Sequence, residues 1–393
     1  MNPYEAASLF LSDEITECKT LGNGHVNETY LAVAGGKKYT VQKINGSVFH
    51  NVPAMMDNIV RITDHIAKKH ETVTPVATSD GEFFISDTPT HPPVRTSSLK
   101  GEICGGKIIE NSPTSPQDLR KVNIGGSPTS PQDLRGKSFW RVFTYVEGRV
   151  CERAETSQDL YTVGEGFGRF QRDLSDFCGE LFETIPNFHN TPIRFQNFLQ
   201  SCKEDRVGRL SGTREIAENY YRLKDLTDVI TKPLFEGKIP LRVTHNDTKI
   251  NNLVLDKESG RAKCVIDLDT VMNGSLLFDF GDAVRSGCNA TAEDGESGEA
   301  RLNTEYFEAL SKGFFDGVGS ITEEESKLLS ISGAVLTYEC GLRFLTDYLD
   351  GDVYFKVRYG DQNLKRAKVH LALCEDILRK IPDLERLTYG IFR

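Results

Sequence analysis

Near the start of the chain, apolar and polar positions alternate with a period of two. Ile15 to Leu21, Glu28 to Val33 and Lys38 to Ile44 read as strands, and Gly35-Gly36 between the last two is a two-residue hairpin turn. From Pro53 to Lys69 the period lengthens. Met55, Ile59, Ile62 and Ile66 recur every three or four positions and predict one amphipathic helix, with Pro53 tolerated in its first turn. Strand-like runs return at Glu82 to Ile85 and Phe139 to Val146. From about residue 150 the pattern turns helical, with Leu160, Val163, Phe167, Phe170, Leu174 and Phe177 forming a stripe behind a Ser157 cap. Around Leu241 to Leu268 two short apolar runs flank a polar segment and a Lys257 to Arg261 turn, and helices then run to the end. The expected fold is α+β in two lobes: residues 1–146 form a small antiparallel sheet with one helix, and residues 147–393 a larger, mostly helical lobe. Phe143 to Gly148 connects them.

One stretch fits neither period. Residues 86–137 are rich in Pro, Ser, Thr and Gly and carry SPTSPQDLR twice, at Ser112 to Arg120 and Ser127 to Arg135. Two copies cannot stack into a solenoid, so the stretch reads as an exposed insertion without regular structure.

Composition narrows the partners. The chain has 393 residues, enough for two cores, and 57 acidic against 47 basic residues give a net charge of −10. No basic face is offered to nucleic acid or anionic lipid. Nine cysteines are scattered without a C-x-x-C pair, the start lacks a secretory signal, and no run approaches the ~20 apolar residues of a membrane span. The expectation is a cytoplasmic protein, monomeric or a weak homodimer.

The candidate chemistry lies in Thr244-His245-Asn246-Asp247-Thr248-Lys249-Ile250-Asn251-Asn252, followed by Val265-Ile266-Asp267-Leu268-Asp269. Phosphoryl transfer needs a carboxylate to orient and deprotonate an attacking hydroxyl, and an amide oxygen with a second carboxylate to hold Mg²⁺ on nucleotide phosphates. Asp247 is the base candidate, with Asn252 and Asp267 as the metal ligands. Gly22-x-Gly24-His25 suits a turn whose backbone approaches phosphates, since glycine removes the side chain that would keep anions away.

These segments resemble the aminoglycoside phosphotransferase and choline kinase superfamily. More narrowly they resemble the N-acetylhexosamine 1-kinases, through GNGHVNETYL, LRVTHNDTKINNLVLD, VIDLDTVMNGSLLFDFGDAVR and ECGLRFLTDYLDGDVYF. The resemblance implies an ATP- and Mg²⁺-dependent kinase acting on a small sugar. It implies that His25, Arg343 and Tyr354 contact that sugar together with Asp247 and Asp267, and that His245 braces the catalytic loop. It gives the metal role to Asp267 rather than to Asp279 of Asp279-Phe280-Gly281, which reads as a second brace. The nucleotide should meet Gly22, Gly24 and the connector residues Tyr145 and Val146.

The sequence departs from the wider kinase pattern in Tyr39-Thr40-Val41-Gln42-Lys43, where Gln42 takes the position of a phosphate-pairing lysine. Asn58, on the following helix, stands where a glutamate is usual. An amide pair Gln42···Asn58 is the expected substitute for the ion pair. Other readings are a kinase for choline, ethanolamine or another hydroxylated amine, and a nucleotide-binding pseudokinase.

Overall fold

The computed structural model describes residues 1–22, 26–87 and 138–391. After the short helix α1 (Pro3–Ser8), strands β1 (Ile15–Thr20), β2 (Glu28–Ala34) and β3 (Lys37–Ile44) form an antiparallel meander. The last turn closes because Gly35 and Gly36 adopt φ of 55° and 74°, where a Cβ would be strained. Helix α2 (Val52–Ile66) begins where the Asn51 side chain accepts the Ala54 N–H, and it buries the predicted face of Met55, Ile59, Ile62 and Ile66. Strands β4 (Pro75–Val76), β5 (Ile85–Ser86) and β6 (Phe139–Thr144) complete a six-stranded sheet ordered β1-β2-β3-β6-β4, with β5 also on β6. Of the strand expected at Glu82 to Ile85 only Ile85 joins the sheet; residues 82–84 are irregular and follow a turn closed by Gly81 N–H to Thr78 O at 2.9 Å.

Both faces of the sheet are covered. Ala6, Ala7 and Phe10 pack on Val41, Trp140 and Val142 from one side. From the other, the α2 face packs on Ile44, Phe139 and Phe143, in a cluster that also takes in Phe170, Leu174, Leu268 and Val271. Those last four belong to the helical lobe, so the two lobes share a core.

In the helical lobe β7 (Arg149–Val150) precedes α3 (Ser157–Asp173), whose cap is Thr156 in a reciprocal box with Asp159, one residue before the expected Ser157. The helix ends before Phe177. Helices α4 (Thr191–Glu204), α5 (Arg214–Arg222) and α6 (Asp228–Phe235) lead to short strands β8 (Arg242–Thr244), β9 (Leu253–Leu255), β10 (Ala262–Val265) and β11 (Met272–Gly274). These pair as β10-β9-β7 and β11-β8. Helices α7 (Leu276–Gly287), α8 (Thr304–Val318), α9 (Glu323–Asp350) and α10 (Gln362–Ile391) complete the chain. By length and composition α9 could cross a membrane, but 78% of its most apolar window is buried, against α4, α7 and α10.

The duplicated motif, within residues 88–137, lies outside the described residues. The flanks of that stretch meet: Asp87 N–H donates to Ser138 O at 2.9 Å, and Trp140 Nε1 donates to Asp87 Oδ1 at 2.9 Å.

Candidate active site

The loop from β8 to β9 is shaped by buried polar groups. Asn246 takes φ 66°, a left-handed conformation that asparagine tolerates better than most residues, and its side chain donates to Thr270 O at 2.9 Å. Asp279, fully buried on α7, accepts His245 N–H at 3.0 Å, Asn246 N–H at 2.7 Å and the Gln171 side-chain amide. Asp282, one turn on, accepts Thr248 N–H at 2.8 Å. Burial still outweighs these bonds and raises the Asp279 carboxyl above its ordinary pKa. The buried His245 accepts Asp247 N–H on Nδ1 at 3.2 Å and donates from Nε2 to Ile266 O at 2.9 Å, which fixes one neutral tautomer. Its ring meets Phe167 and Phe170 edge-on. Neither His245 nor Asp279 lines the cleft; both grip the loop from behind.

That grip presents Asp247 to a cavity of about 470 Å³ between the lobes. Asn252 Nδ2 donates to Asp247 O at 2.8 Å and to Asp247 Oδ2 at 3.1 Å, which leaves the Asn252 amide oxygen as its ligand atom. Ile266 N–H donates to Asn252 O at 2.9 Å, so the β9-β10 pair brings Asp267 beside Asn252. Asp267 opens to the cleft, and no described side chain hydrogen-bonds it. Its carboxyl is pushed up to about 7, first by desolvation and then by the like charges of Asp269 and Asp247. Carboxylate and amide oxygens with a surplus of negative charge are the donor set that Mg²⁺ takes.

Lys249 was not singled out in the sequence, although it stands two residues after Asp247. Its Nζ lies 2.8 Å from Asp247 Oδ1. Burial works against its charge, but Asp247 prevails and raises its pKa. For Asp247 burial raises the pKa, while the Lys249 ammonium outweighs it and brings the net value down to about 2. The candidate base is therefore ionised and oriented.

On the β-lobe side the expected Gln42···Asn58 pair does not form. Arg141, 1% exposed on β6, is the cross-strand partner of Gln42. Its Nε and Nη2 donate to Gln42 Oε1 at 3.0 and 2.8 Å, and its Nη1 lies 2.6 Å from Asp269 Oδ1. Asn58 reaches the helical lobe instead, donating to Phe182 O at 2.8 Å and Val271 O at 3.3 Å. A guanidinium two strand positions from any sequence motif gave no local signal. Lys43 turns outward over the Trp140 ring. Gly22 sits in a turn at φ 70°; Gly24 and His25 lie outside the described residues. In the connector, Tyr145 N–H donates to Lys38 O at 3.2 Å, and Val146 packs on Val254 and Cys264. Gly22, Gln42, Tyr145 and Val146 do not line the cavity that holds Asp247.

Arg343 and Tyr354 do line it. The Arg343 guanidinium stands 4.9 Å from the centre of the Phe188 ring, 5.5 Å from that of Phe355 and 5.8 Å from that of Tyr354. It has no carboxylate partner among the described residues. Asp347, one turn along α9, accepts the backbone N–H groups of Val353, Tyr354 and Phe355 at 2.9, 2.7 and 3.0 Å, and so shapes the loop that presents Tyr354. Nearby, His189 joins Glu339 at 2.7 Å and Asn246 O at 3.0 Å, tying α9 to the catalytic loop. Glu293, Cys340 and His370 also converge, with ligand atoms within 4.8 Å of one another. Arg285 Nη1 already stands 3.4 Å from both Glu293 Oε1 and His370 Nε2, so that cluster carries its own cation.

Residues 125–313, which include this whole catalytic segment, match the family model APH, the phosphotransferase enzyme family. Over that stretch the chain is similar to the phosphotransferase enzyme family. Among solved structures it is similar to a microcompartment-associated aminopropanol kinase, 13% identical with a TM-score of 0.56 over 97% of each chain. A spectinomycin phosphotransferase in complex with ADP and spectinomycin is 11% identical, with a TM-score of 0.55 over 96% of this chain and 97% of that one. An ethanolamine kinase of Plasmodium vivax is 10% identical, with a TM-score of 0.52 over 90% of this chain and 81% of that one. At these identities the likeness is one of fold: the kinase-like, two-lobed α+β architecture expected from the sequence.

Proposed function

We propose that this chain is an ATP-dependent kinase that phosphorylates the anomeric hydroxyl of N-acetylhexosamines, N-acetylglucosamine or N-acetylgalactosamine, giving the sugar 1-phosphate and ADP. The observation that carries the acceptor class is the pairing of Asp247 and Arg343 in one cavity. Phe188, Tyr354 and Phe355 would make a cage for an ammonium group, but the guanidinium of Arg343 already occupies it. A choline, ethanolamine or aminoglycoside cation would meet an unneutralised like charge there. A neutral, hydroxyl-rich ring finds donors from Arg343 and Tyr354 and apolar ring faces to stack on.

ATP would enter between the lobes with its base against the Tyr145–Val146 connector and its phosphates toward the turn after Gly22. Asn252 and Asp267 would hold Mg²⁺, which supplies charge neutralisation on the phosphoryl oxygens. Asp247 orients the anomeric hydroxyl and accepts its proton. That hydroxyl is the most acidic on the sugar, so a carboxylate kept at low pKa by Lys249 is an adequate base. Lys249 keeps the carboxylate in place and sets a positive charge beside the transfer path.

An acceptor panel decides the matter: N-acetylglucosamine, N-acetylgalactosamine, choline, ethanolamine and an aminoglycoside, each assayed for ADP release, with the phosphate position in the product read by ³¹P NMR. An anomeric phosphate on a hexosamine is the expected product. Turnover of the amines alone would replace this acceptor class.

A further inference from the structure

We infer that Arg141 and Asn27, both supplied by the β-lobe, position Asp267 for its cation by fixing Asp269, in a chain whose β3 places Gln42 where a phosphate-pairing lysine is usual. The inference rests on the reading of Asp267 as a metal ligand.

Asp267 is held at φ 60° and ψ 58°, a left-handed conformation that is strained for an L-residue and needs support from its surroundings. The support comes from the residues that follow it. Each carboxylate oxygen of the buried Asp269 faces a β-lobe group: Arg141 Nη1 forms an ion pair with Oδ1 at 2.6 Å, and Asn27 Nδ2 donates to Oδ2 at 2.7 Å. Thr270 Oγ1 donates to His245 O at 2.7 Å, and Val271 O accepts from Asn58. Positions 269, 270 and 271 are thus gripped in succession, while the Asp267 side chain is left free toward the cleft. Outer-shell groups around a metal ligand are arranged this way, holding its neighbours and leaving the ligand atoms open.

Neither donor is itself loose. Arg141 is 1% exposed, lies over the Phe143 ring at 5.0 Å, donates from Nε and Nη2 to Gln42 Oε1 and from Nη1 to Met56 Sδ at 3.7 Å. Asn27 accepts Asn45 N–H on Oδ1 at 3.0 Å, which orients its amide. Both spend a polar contact on Asp269, so they reach Asp267 through it. The same link ties Asn27, the residue before β2, to the metal segment, so that cation and nucleotide phosphates would bind cooperatively.

The test uses Mn²⁺ as the probe, titrated by EPR into the full chain with and without ADP, alongside thermal unfolding of each variant. Asn27→Ala and Arg141→Met should weaken Mn²⁺ binding by about 10–100-fold in protein that is still folded, and reduce the gain in Mn²⁺ affinity on adding ADP. Arg141→Lys, which keeps a charge for Asp269, should recover part of the affinity. If the Arg141 variants do not fold, Asn27→Ala carries the test, because it leaves the buried ion pair intact. Unchanged Mn²⁺ affinity in folded Asn27→Ala and Arg141→Lys, even with lowered melting temperatures, would show a structural bridge only and overturn the inference while the kinase reading stands. Wild-type protein that binds no Mn²⁺ in the presence of ADP would overturn both.

Discussion

The two ends of the cleft satisfy their charges in different ways. At the Asp247 end the cations are spoken for: Lys249 stands against Asp247 at 2.8 Å and Arg141 against Asp269 at 2.6 Å, and the third carboxyl, Asp267, has no described cation of its own. At the acceptor end the surplus is positive, because Arg343 is surrounded by rings and no described carboxylate answers it. Charges paired inside the protein fix geometry; a charge left over marks where something else belongs. The polarity along the cleft suits a cation-bound nucleotide at one end and an uncharged polar body at the other.

Removing the base should have the largest effect. Asp247→Asn keeps the shape of the loop but cannot take a proton, and turnover should fall by ~10³ with nucleotide affinity largely retained. Steady-state ADP release and a nucleotide binding titration check this, and a variant with near-normal turnover would break the Asp247 end of the comparison. Next comes Asp267→Asn, which removes the third carboxyl. It should weaken Mg²⁺·nucleotide binding by ~10²-fold, as loss of a metal ligand implies, without disturbing the acceptor KM. Calorimetric titration with Mg²⁺·ADP reads it directly.

Arg343→Gln sharpens the opposite end. It keeps donors for hydroxyls but removes the charge, so the N-acetylglucosamine KM should rise roughly tenfold, the worth of about one good polar contact. Amine acceptors, if turned over at all, should improve relative to the sugar. An unchanged ratio between the two would detach Arg343 from acceptor choice.

The smallest effect concerns stability. His370 donates from Nδ1 to Arg366 O at 2.8 Å and is buried beside Arg285, with Glu293 and Arg366 close by. Burial first, then Arg285, lowers its pKa from 6.5 to about 4. A histidine depressed in the folded state contributes fully above its unfolded value. Stability should therefore decline as pH falls from 6.5 toward 4 and flatten below that. Urea melts across this range should show the slope in the wild type and a shallower one in His370→Gln.

Much of the scaffold was legible because it follows from local rules. The Gly35-Gly36 hairpin, the apolar face of α2 and the strand pair that returns Asp267 to Asn252 are all short-range consequences of turn chemistry and periodicity. What escaped was the pairing across long separations. Gln42 and Arg141 are neighbours only because β3 and β6 adjoin in the sheet, with the residue 88–137 excursion between them in sequence. The wider kinase pattern predicts Asn58, standing where a glutamate is usual, as the partner of Gln42, yet it reaches Phe182 and Val271 in the other lobe. The His189–Glu339 link joins two helical regions that periodicity treats as independent. Lys249 could have been found, as a cation two residues from a candidate base in a loop too short to carry it away.

The rung between Asp87 and Ser138 has a practical side. It fastens the departure and return points of the 88–137 excursion on a sheet edge anchored by Trp140, so whatever is spliced between them hangs from a closed doorway. A fluorophore-bearing peptide or an affinity handle put in place of the repeated motif would start and finish at these two fixed points.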